Sequence, residues 1–235
     1  MQKGLEKLLQ PQVKLCGTTS VEDRRMAEEA GADYFGLVLN VPYSPRSCSL
    51  DEAKKIFNGA TIPGVALLID SDPDVVCRTA ETLHPFALQL IGPVFAPDTV
   101  LWLSEKVDCQ LWRSVHVQPK GAGPIDINRT RQEISWYKDA GADAVIVDTM
   151  VKKDDQELLG GTGVSSDWGQ VREIFFGIGI VRFLAGGINP DNVARAVQTV
   201  RPDGIDLASG VESSPGKRDS QLVKKLMENL REKKE

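Results

Sequence analysis

The sequence predicts a single α/β domain folded as a (β/α)8 barrel with a parallel eight-stranded core, and three observations support this. Eight short β-branched runs alternate with eight segments of helical periodicity, which is the pattern of βαβ units and a parallel sheet. A chain of 235 residues suits one large domain better than two. Two segments four units apart also resemble each other, as two similar half-barrels would. An open doubly wound sheet is the alternative architecture for this pattern.

The eight predicted strands are short runs of apolar and β-branched residues. They span residues 13–16, 34–39, 64–69, 87–91, 110–116, 144–148, 181–185 and 204–207. Because parallel neighbours need a crossover connection, we expect each strand to be followed by a helix.

The predicted helices occupy the intervals at residues 21–30, 50–57, 74–83, 99–106, 129–139, 168–175, 192–200 and 219–230. Ser20, Ser49 and Asp98 stand immediately before three of them. Their side chains belong to the types that cap a helix by accepting a backbone N–H of its first turn. We therefore expect these three helices to begin directly after them.

The internal repeat lies where two helices lead into strands. Residues 29–33 and residues 139–143 share the pattern acid-Ala-Gly-Ala-Asp. Gly31 and Gly141 are expected at helix ends, where a positive φ favours glycine. The predicted organisation is an N-terminal extension over residues 1–12 and a catalytic barrel over residues 13–235.

Composition excludes several function classes. A net charge of -5 argues against nucleic acid as a partner, since binding a phosphate backbone needs clustered cations. The four cysteines are far apart, with no CxxC pair, so no metal site is expected. No apolar run approaches the roughly 20 residues that cross a bilayer. We expect a cytoplasmic protein with free thiols; its oligomeric state is left open.

Two residues at predicted strand ends carry chemistry, because barrel enzymes place their active sites at the carboxyl ends of the strands. Cys16 ends the first strand beside Gly17, where its thiol can act as an acid, base or nucleophile. The alternative is a buried core cysteine. Asp148 ends the sixth strand, where partial burial would raise its pKa and let it donate a proton. An aspartate that merely caps the following loop is the alternative.

Glycine-rich segments predict a phosphate site. Gly186 and Gly187 follow the seventh strand, and Ser209 and Gly210 follow the eighth. Such segments expose backbone N–H groups at helix N-termini, which stabilise a bound phosphate, and barrels often bind phosphate after these two strands. Residues 160–163, which include Gly161, are expected to form a loop that closes over a ligand. Simple turns are the alternative in each case.

Three further polar residues lie in a loop or at the end of a predicted element. Arg46 follows Pro45 in the loop after the second strand, where its guanidinium can hold a carboxylate bidentately; a solvated surface arginine is the alternative. His84 ends a helix, and His116 ends the fifth strand, where it can reach the rim. Neither histidine is assigned a role.

Several motifs in order resemble one enzyme family, phosphoribosylanthranilate isomerase. The resemblance extends from Lys14 to Gly216. It rests on Lys14-Leu15-Cys16-Gly17, Ser44-Pro45-Arg46, Gly160-Gly161-Thr162-Gly163, Asp167-Trp168, Gly186-Gly187 and Ser209-Gly210-Val211-Glu212-Ser213.

The resemblance implies an Amadori rearrangement in tryptophan biosynthesis, without a cofactor. N-(5'-phosphoribosyl)anthranilate would become 1-(2-carboxyphenylamino)-1-deoxyribulose 5-phosphate. Asp148 would be the general acid at the furanose ring oxygen, and Cys16 the general base at C2'. Arg46 would bind the anthranilate carboxylate, and Asp206 would lie near the substrate. The phosphate would be bound by Gly186, Gly187, Ser209 and Gly210, with Gly161 in the covering loop.

Three positions depart from the family pattern. Ser166 stands where an aromatic residue is usual after the glycine loop, and Ala208 stands where serine is frequent. Ile91 stands at the end of the fourth strand, where the family commonly has histidine. Two alternatives follow: a related barrel that acts on another phosphorylated sugar derivative, and a barrel that senses such a compound without catalysis. Retention of both Cys16 and Asp148 argues against the sensor, since binding alone needs neither.

Overall fold

The computed structural model describes residues 10–153, 156–159 and 164–231. Eight parallel strands form the barrel, and three short strands and a hairpin partner lie outside it. The barrel strands are β1 (Gln12–Leu15), β2 (Tyr34–Leu39), β4 (Gly64–Ile69), β5 (Ala87–Ile91), β6 (Gln110–Val117), β7 (Ala144–Lys153), β9 (Val181–Leu184) and β10 (Gly204–Leu207). The others are β3 (Ser47–Cys48), β8 (Gln156–Leu159), β11 (Glu212–Ser214) and β12 (Lys217–Arg218).

Helices follow the barrel strands. They are α1 (Val21–Ala30), α2 (Leu50–Phe57), α3 (Pro73–Leu83), α4 (Pro97–Ser104), α5 (Ile127–Asp139), α6 (Trp168–Phe175), α7 (Val193–Val200) and α8 (Ser220–Arg231). A 3-10 turn (Ser209–Val211) lies between β10 and β11. Among the described residues, no helix has the length and apolar character needed to span a membrane.

The sheet closes on itself. Each barrel strand pairs in parallel with the next, and β1 pairs with both β2 and β10. The closing register places Lys14 beside Asp206 and Leu15 beside Leu207. Closure confirms the predicted (β/α)8 barrel and rules out the open doubly wound sheet.

The repeated segments form the same contact in both halves of the barrel. The N–H of Val13 donates to the Asp33 carboxylate at 2.8 Å, and the N–H of Leu111 donates to the Asp143 carboxylate at 2.9 Å. The preceding Gly31 and Gly141 have φ angles of 76° and 90°, as expected. Each aspartate therefore joins the start of its strand to the start of the neighbouring strand.

Helix starts were predicted correctly in two cases and wrongly in one. The side chains of Ser20 and Ser49 cap α1 and α2. Asp98 is not a cap, because α4 begins at Pro97 and Asp98 lies inside its first turn. Proline is favoured at the first helical position, where its fixed φ fits and its missing N–H costs nothing.

The sixth strand is longer than predicted. It was expected to end at Asp148 and to be followed by a loop, but β7 continues to Lys153 and pairs antiparallel with β8. The predicted end of this strand, at Asp148, was therefore wrong. Pairing with Val181–Leu184 of β9 nevertheless ends at Val147, so Asp148 still lies at the rim of the barrel.

Aromatic side chains fill the lower part of the barrel interior. The ring centroids of Trp112 and Phe183 are 4.7 Å apart, and those of Tyr34 and Trp112 are 5.1 Å apart. A separate small cluster that includes Cys16, Val38 and Leu67 lies higher, near the mouth. Since the described interior below is packed, the open space for a ligand lies at the carboxyl ends of the strands.

Candidate active site

A cavity opens at the carboxyl ends of the barrel strands. It brings together seven of the nine predicted site residues, namely Cys16, Arg46, Asp148, Gly186, Gly187, Asp206 and Ser209. Gly210 follows directly behind Ser209. Gly161 lies outside the described residues, as does the predicted covering loop at 160–163.

Cys16 occupies the rim directly after β1. Its N–H donates to the Leu207 carbonyl at 2.9 Å, and its own carbonyl accepts from Nη2 of Arg218 at 2.7 Å. Gly17, with a φ of 73°, then turns the chain away. Burial raises the pKa of the Cys16 thiol, and the positive charge of Lys14 partly opposes this. Cys16 is thus a fixed, buried thiol whose pKa stays raised even beside the Lys14 cation.

Asp148 stands three strands away from Cys16 around the mouth, since β10 and β9 separate β1 from β7. Burial raises the pKa of its carboxyl to about 7, and the negative charge of Asp206 adds to the effect. The N–H of Thr149 donates to Asp148 Oδ1 at 2.7 Å, and this hydrogen bond lowers the pKa of the carboxyl. A carboxyl with this pKa is suited to donating a proton near neutral pH.

A buried ion pair lies between the thiol and the carboxyl. Lys14 Nζ is 2.9 Å from both carboxylate oxygens of Asp206. Lys14 is 0% exposed, and Asp206 is 6% exposed. Lys14 was not predicted as a site residue. The sequence feature that could have identified Lys14 is its spacing from Cys16, because residues two apart on a strand face the same side.

The two glycine segments form adjoining loops at the mouth. Gly186 and Gly187 have φ angles of 83° and 65°. A Cβ at Gly210 would overlap the carbonyl of Ile188. In the described part of the chain, the N–H groups of Gly187, Ser209 and Gly210 donate to no protein acceptor. These free donors can bind an anion.

The position of these donors differs from the predicted one. The segment Gly186-Gly187 lies in a loop well before α7 begins at Val193, so it does not form the first turn of that helix. Asn192 instead ties this loop together: its Nδ2 donates to the Gly187 carbonyl at 2.8 Å, and its Oδ1 accepts from the N–H of Asn189 at 2.9 Å. Ser209 and Gly210 lie in a single 3-10 turn.

Arg46 reaches the cavity from the loop between β2 and β3. Its Nε and Nη2 donate to the two carboxylate oxygens of Glu212 at 2.8 Å and 2.6 Å. The Arg46 side chain is 13% exposed, so it is not the solvated surface arginine of the alternative interpretation. One edge of the guanidinium is occupied by Glu212, and the Nη1 edge is left for a second anion.

Ile91 on β5 lines the cavity, and His116 on β6 lies next to Asp148. Ile91 is buried and packs with Val38 and Leu67. His116 is the register neighbour of Asp148 on β6. Burial, with the charge of Arg113, lowers the pKa of His116 to about 4, so the imidazole is neutral.

His116 Nε2 is buried and has no hydrogen-bond partner among the described residues. Sequence reasoning assigned this histidine no role. The signal that could have found it is strand alternation, because Trp112, Ser114 and His116 face one side. Across the described ranges, no group of three or more His, Cys, Asp or Glu side chains is placed to hold a metal ion.

Comparison with known sequences gives a consistent assignment. Residues 13–229 match the family model of N-(5'-phosphoribosyl)anthranilate isomerase. The chain is 33% identical over 222 residues to the isomerase of that name from Methanocella arvoryzae, covering 93% of this chain and 97% of the relative. It is 32% identical over 223 residues to the one from Bacillus subtilis, covering 94% and 95%.

Solved structures agree with the sequence comparison. The phosphoribosylanthranilate isomerase of Pyrococcus furiosus superimposes with a TM-score of 0.77 at 26% identity, covering 94% of this chain and 98% of that one. A second isomerase, solved with reduced 1-(o-carboxyphenylamino)-1-deoxyribulose 5-phosphate, gives a TM-score of 0.72 at 26% identity and the same coverage. The chain belongs to the N-(5'-phosphoribosyl)anthranilate isomerase family.

Proposed function

We propose that this chain catalyses the Amadori rearrangement of N-(5'-phosphoribosyl)anthranilate, with Asp148 as the general acid and Cys16 as the general base. The observation that carries the proposal is that a buried thiol and a carboxyl with a pKa of about 7 line one cavity with two loops of free N–H groups. Acid, base and anion site are what this reaction requires.

The first step belongs to Asp148. Its carboxyl transfers a proton to the furanose ring oxygen, and the C1'–O bond breaks as the anthranilate nitrogen supplies its electron pair. An open-chain Schiff base and the Asp148 carboxylate result. A pKa of about 7 leaves a large fraction of this carboxyl protonated at neutral pH, which suits the role.

The second step belongs to Cys16. Its thiolate removes the proton from C2', and the electron pair of that C–H bond moves toward the protonated nitrogen, giving an enolamine. The enolamine then takes up a proton at C1', loses the hydroxyl proton at C2', and becomes the ketone product. Base and acid act from β1 and β7, on different sides of the opened sugar.

The two ends of the substrate carry the charges that fix its orientation. We propose that the phosphate lies against the N–H groups of Gly187, Ser209 and Gly210, with Gly186 shaping the loop. The anthranilate carboxylate would bind the free edge of Arg46. Gly161 would belong to the covering loop, and Asp206 would lie beside the sugar.

The function is tested by turnover and by complementation. Purified protein is mixed with freshly prepared N-(5'-phosphoribosyl)anthranilate, and the isomeric product is identified by chromatography against an authentic standard. The gene should also restore growth without tryptophan to a host lacking this step. A folded protein that binds a phosphorylated analogue but gives no turnover would favour the sensor. Turnover of another aminosugar phosphate alone would favour the altered-substrate alternative suggested by Ile91.

We also propose a cytoplasmic location. Its support is that Cys16, Cys48, Cys77 and Cys109 are all free, as a reducing compartment would keep them. Cell fractionation followed by immunoblotting tests this directly.

A further inference from the structure

The proposed reaction requires two protonation states that oppose each other, a Cys16 thiolate and a neutral Asp148. Burial favours the neutral thiol of Cys16, yet the second step needs the thiolate. The first step needs Asp148 protonated, and that state must persist beside a neighbouring thiolate. Burial favours the neutral Asp148 but opposes the Cys16 thiolate, so the groups packed around them decide how often both states coexist.

The Lys14–Asp206 ion pair is placed to act on both. Lys14 lies on β1, and Cys16 follows this strand directly, two residues later and on the same side. A methyl group at Gly36 would come within 3.0 Å of Lys14 Nζ and 3.1 Å of Cys16 Sγ, so both side chains converge on the space that this glycine leaves. Asp206, on the neighbouring strand β10, holds Lys14 Nζ with both of its oxygens at 2.9 Å and lines the cavity with Asp148.

We propose that Lys14 and Asp206 are positioning residues whose charges act in opposite directions. The Lys14 cation favours the thiolate form of Cys16, and the Asp206 anion favours the neutral form of Asp148. This inference rests on the proposed roles of Cys16 and Asp148. It gives the ion pair a function in addition to filling the barrel, because a buried pair is by itself poorly stabilising.

The direction of each effect follows from which charge dominates at each site. At Cys16 the attraction of Lys14 outweighs the repulsion of Asp206, and the pair lowers the thiol pKa against the effect of burial. At Asp148 the repulsion of Asp206 outweighs the attraction of Lys14, so the pair raises the carboxyl pKa further. The pair thus brings the two pKa values closer together, and the fraction of molecules with thiolate and neutral acid increases.

Other charged groups lie near Cys16 and Asp148. Arg218 is a second cation there and interacts with the charges of Asp23, Cys16 and Glu212. Arg218 on β12 donates to the Cys16 carbonyl at 2.7 Å and to the Asp23 carbonyl at 3.0 Å. Glu212 pairs with Arg46 at the mouth. His116 is neutral above a pH of about 4. Among the charged groups that act on the Cys16 thiol, Lys14 has the largest effect.

The test measures the two titrations separately. Thiolate absorbance near 240 nm is followed against pH, with Cys16→Ser subtracted in each background to isolate Cys16. The pH profile of kcat/KM is measured in parallel. The Asp148 carboxyl titrates at lower pH than the Cys16 thiol. The rising limb of the kcat/KM profile therefore reports the titration of Asp148, and the falling limb reports that of Cys16.

Lys14→Gln should move the Cys16 titration to higher pH, and Asp206→Asn should move the Asp148 limb to lower pH. Each shift of about one pH unit should lower kcat/KM about tenfold on the plateau, since the active protonation state becomes rarer by that factor. Unchanged titrations in folded single variants would overturn the inference. The thiolate measurement needs no turnover, so its result stands apart from that of the proposed function.

The double variant Lys14→Gln/Asp206→Asn guards against misfolding, because it leaves no unpaired buried charge. If the pair only supported the fold, this variant would recover the parent kcat/KM and pH profile. The electrostatic role predicts instead that the thiol pKa stays raised, the Asp148 limb stays lowered and kcat/KM stays at least tenfold below the parent. Recovery of parent behaviour would overturn the inference.

Discussion

Glu212 holds Arg46 by two parallel hydrogen bonds, from Nε at 2.8 Å and from Nη2 at 2.6 Å. The pair joins the loop after β2 to the segment after β10, which are distant in sequence and adjacent at the mouth. Because a carboxylate of the protein already occupies one edge of the guanidinium, the other edge is fixed in orientation. A ligand carboxylate would find a preformed partner there.

The first prediction concerns this edge. Arg46→Lys keeps the charge but removes the planar fork, so KM for N-(5'-phosphoribosyl)anthranilate should rise about 10- to 100-fold, as expected for one charge-assisted bidentate contact. Steady-state kinetics measure the effect. The control is a substrate whose aromatic ring lacks the carboxylate, for which the parent and the variant should have similar KM values. An equal loss for both substrates would contradict the assignment.

A second prediction concerns Cys16. Cys16→Ala should lower kcat by about 100- to 10,000-fold, the usual contribution of a general base, while the affinity for a product analogue changes little. Stopped-flow turnover and calorimetric binding separate the two quantities. Cys77→Ala, at a partly exposed thiol on α3, is the matched control and should keep parent activity. A kcat for Cys16→Ala equal to that of the parent would contradict the role of Cys16 as the general base.

The third prediction links Asp148 to stability. Its folded pKa of about 7 lies above the ordinary value of 3.8, so the folded state binds the proton more tightly. This contribution is fully present below pH 4 and is lost as the pH rises through 7. At pH 8, Asp148→Asn should therefore be more stable than the parent by about 3 to 4 kcal/mol, as an upper range, while losing activity.

Urea denaturation at pH 4 and pH 8 checks this prediction. The two proteins should have nearly equal free energies of unfolding at pH 4 and should diverge at pH 8. Asp108→Asn, at an exposed position, should show no such divergence. A variant that is less stable than the parent at pH 8 would show that the Asp148 carboxylate is well accommodated in the fold.

A fourth prediction concerns the phosphate loop. A Cβ at Gly210 would overlap the carbonyl of Ile188, whereas a Cβ at Gly179 would meet nothing within 4 Å. Gly210→Ala should displace the N–H groups and weaken inhibition by ribose 5-phosphate about tenfold or more, while Gly179→Ala should match the parent. Inhibition constants measure both. Equal inhibition of all three proteins would place the phosphate elsewhere.

Local patterns predicted much of the fold. Ser20 and Ser49 were identified as caps because capping depends on a few neighbouring residues. The paired aspartates Asp33 and Asp143 were visible as a repeat. Antiparallel pairing of β7 with β8 was missed, because it depends on a partner strand and not on the run of residues that ends at Asp148. Asp98 was assigned wrongly, because the effect of Pro97 on the helix start was not taken into account.

Periodicity and strand-end position in the sequence by themselves determined the barrel, and they placed Cys16 and Asp148 at its carboxyl end, since every parallel strand in a closed barrel ends on the same face. The tertiary structure alone decided that Lys14 pairs with Asp206, 192 residues away, and that His116 stands beside Asp148. Barrel closure and strand register create these neighbours. Burial then shifts the pKa values of His116 and Asp148, and burial depends on the packing of the whole barrel.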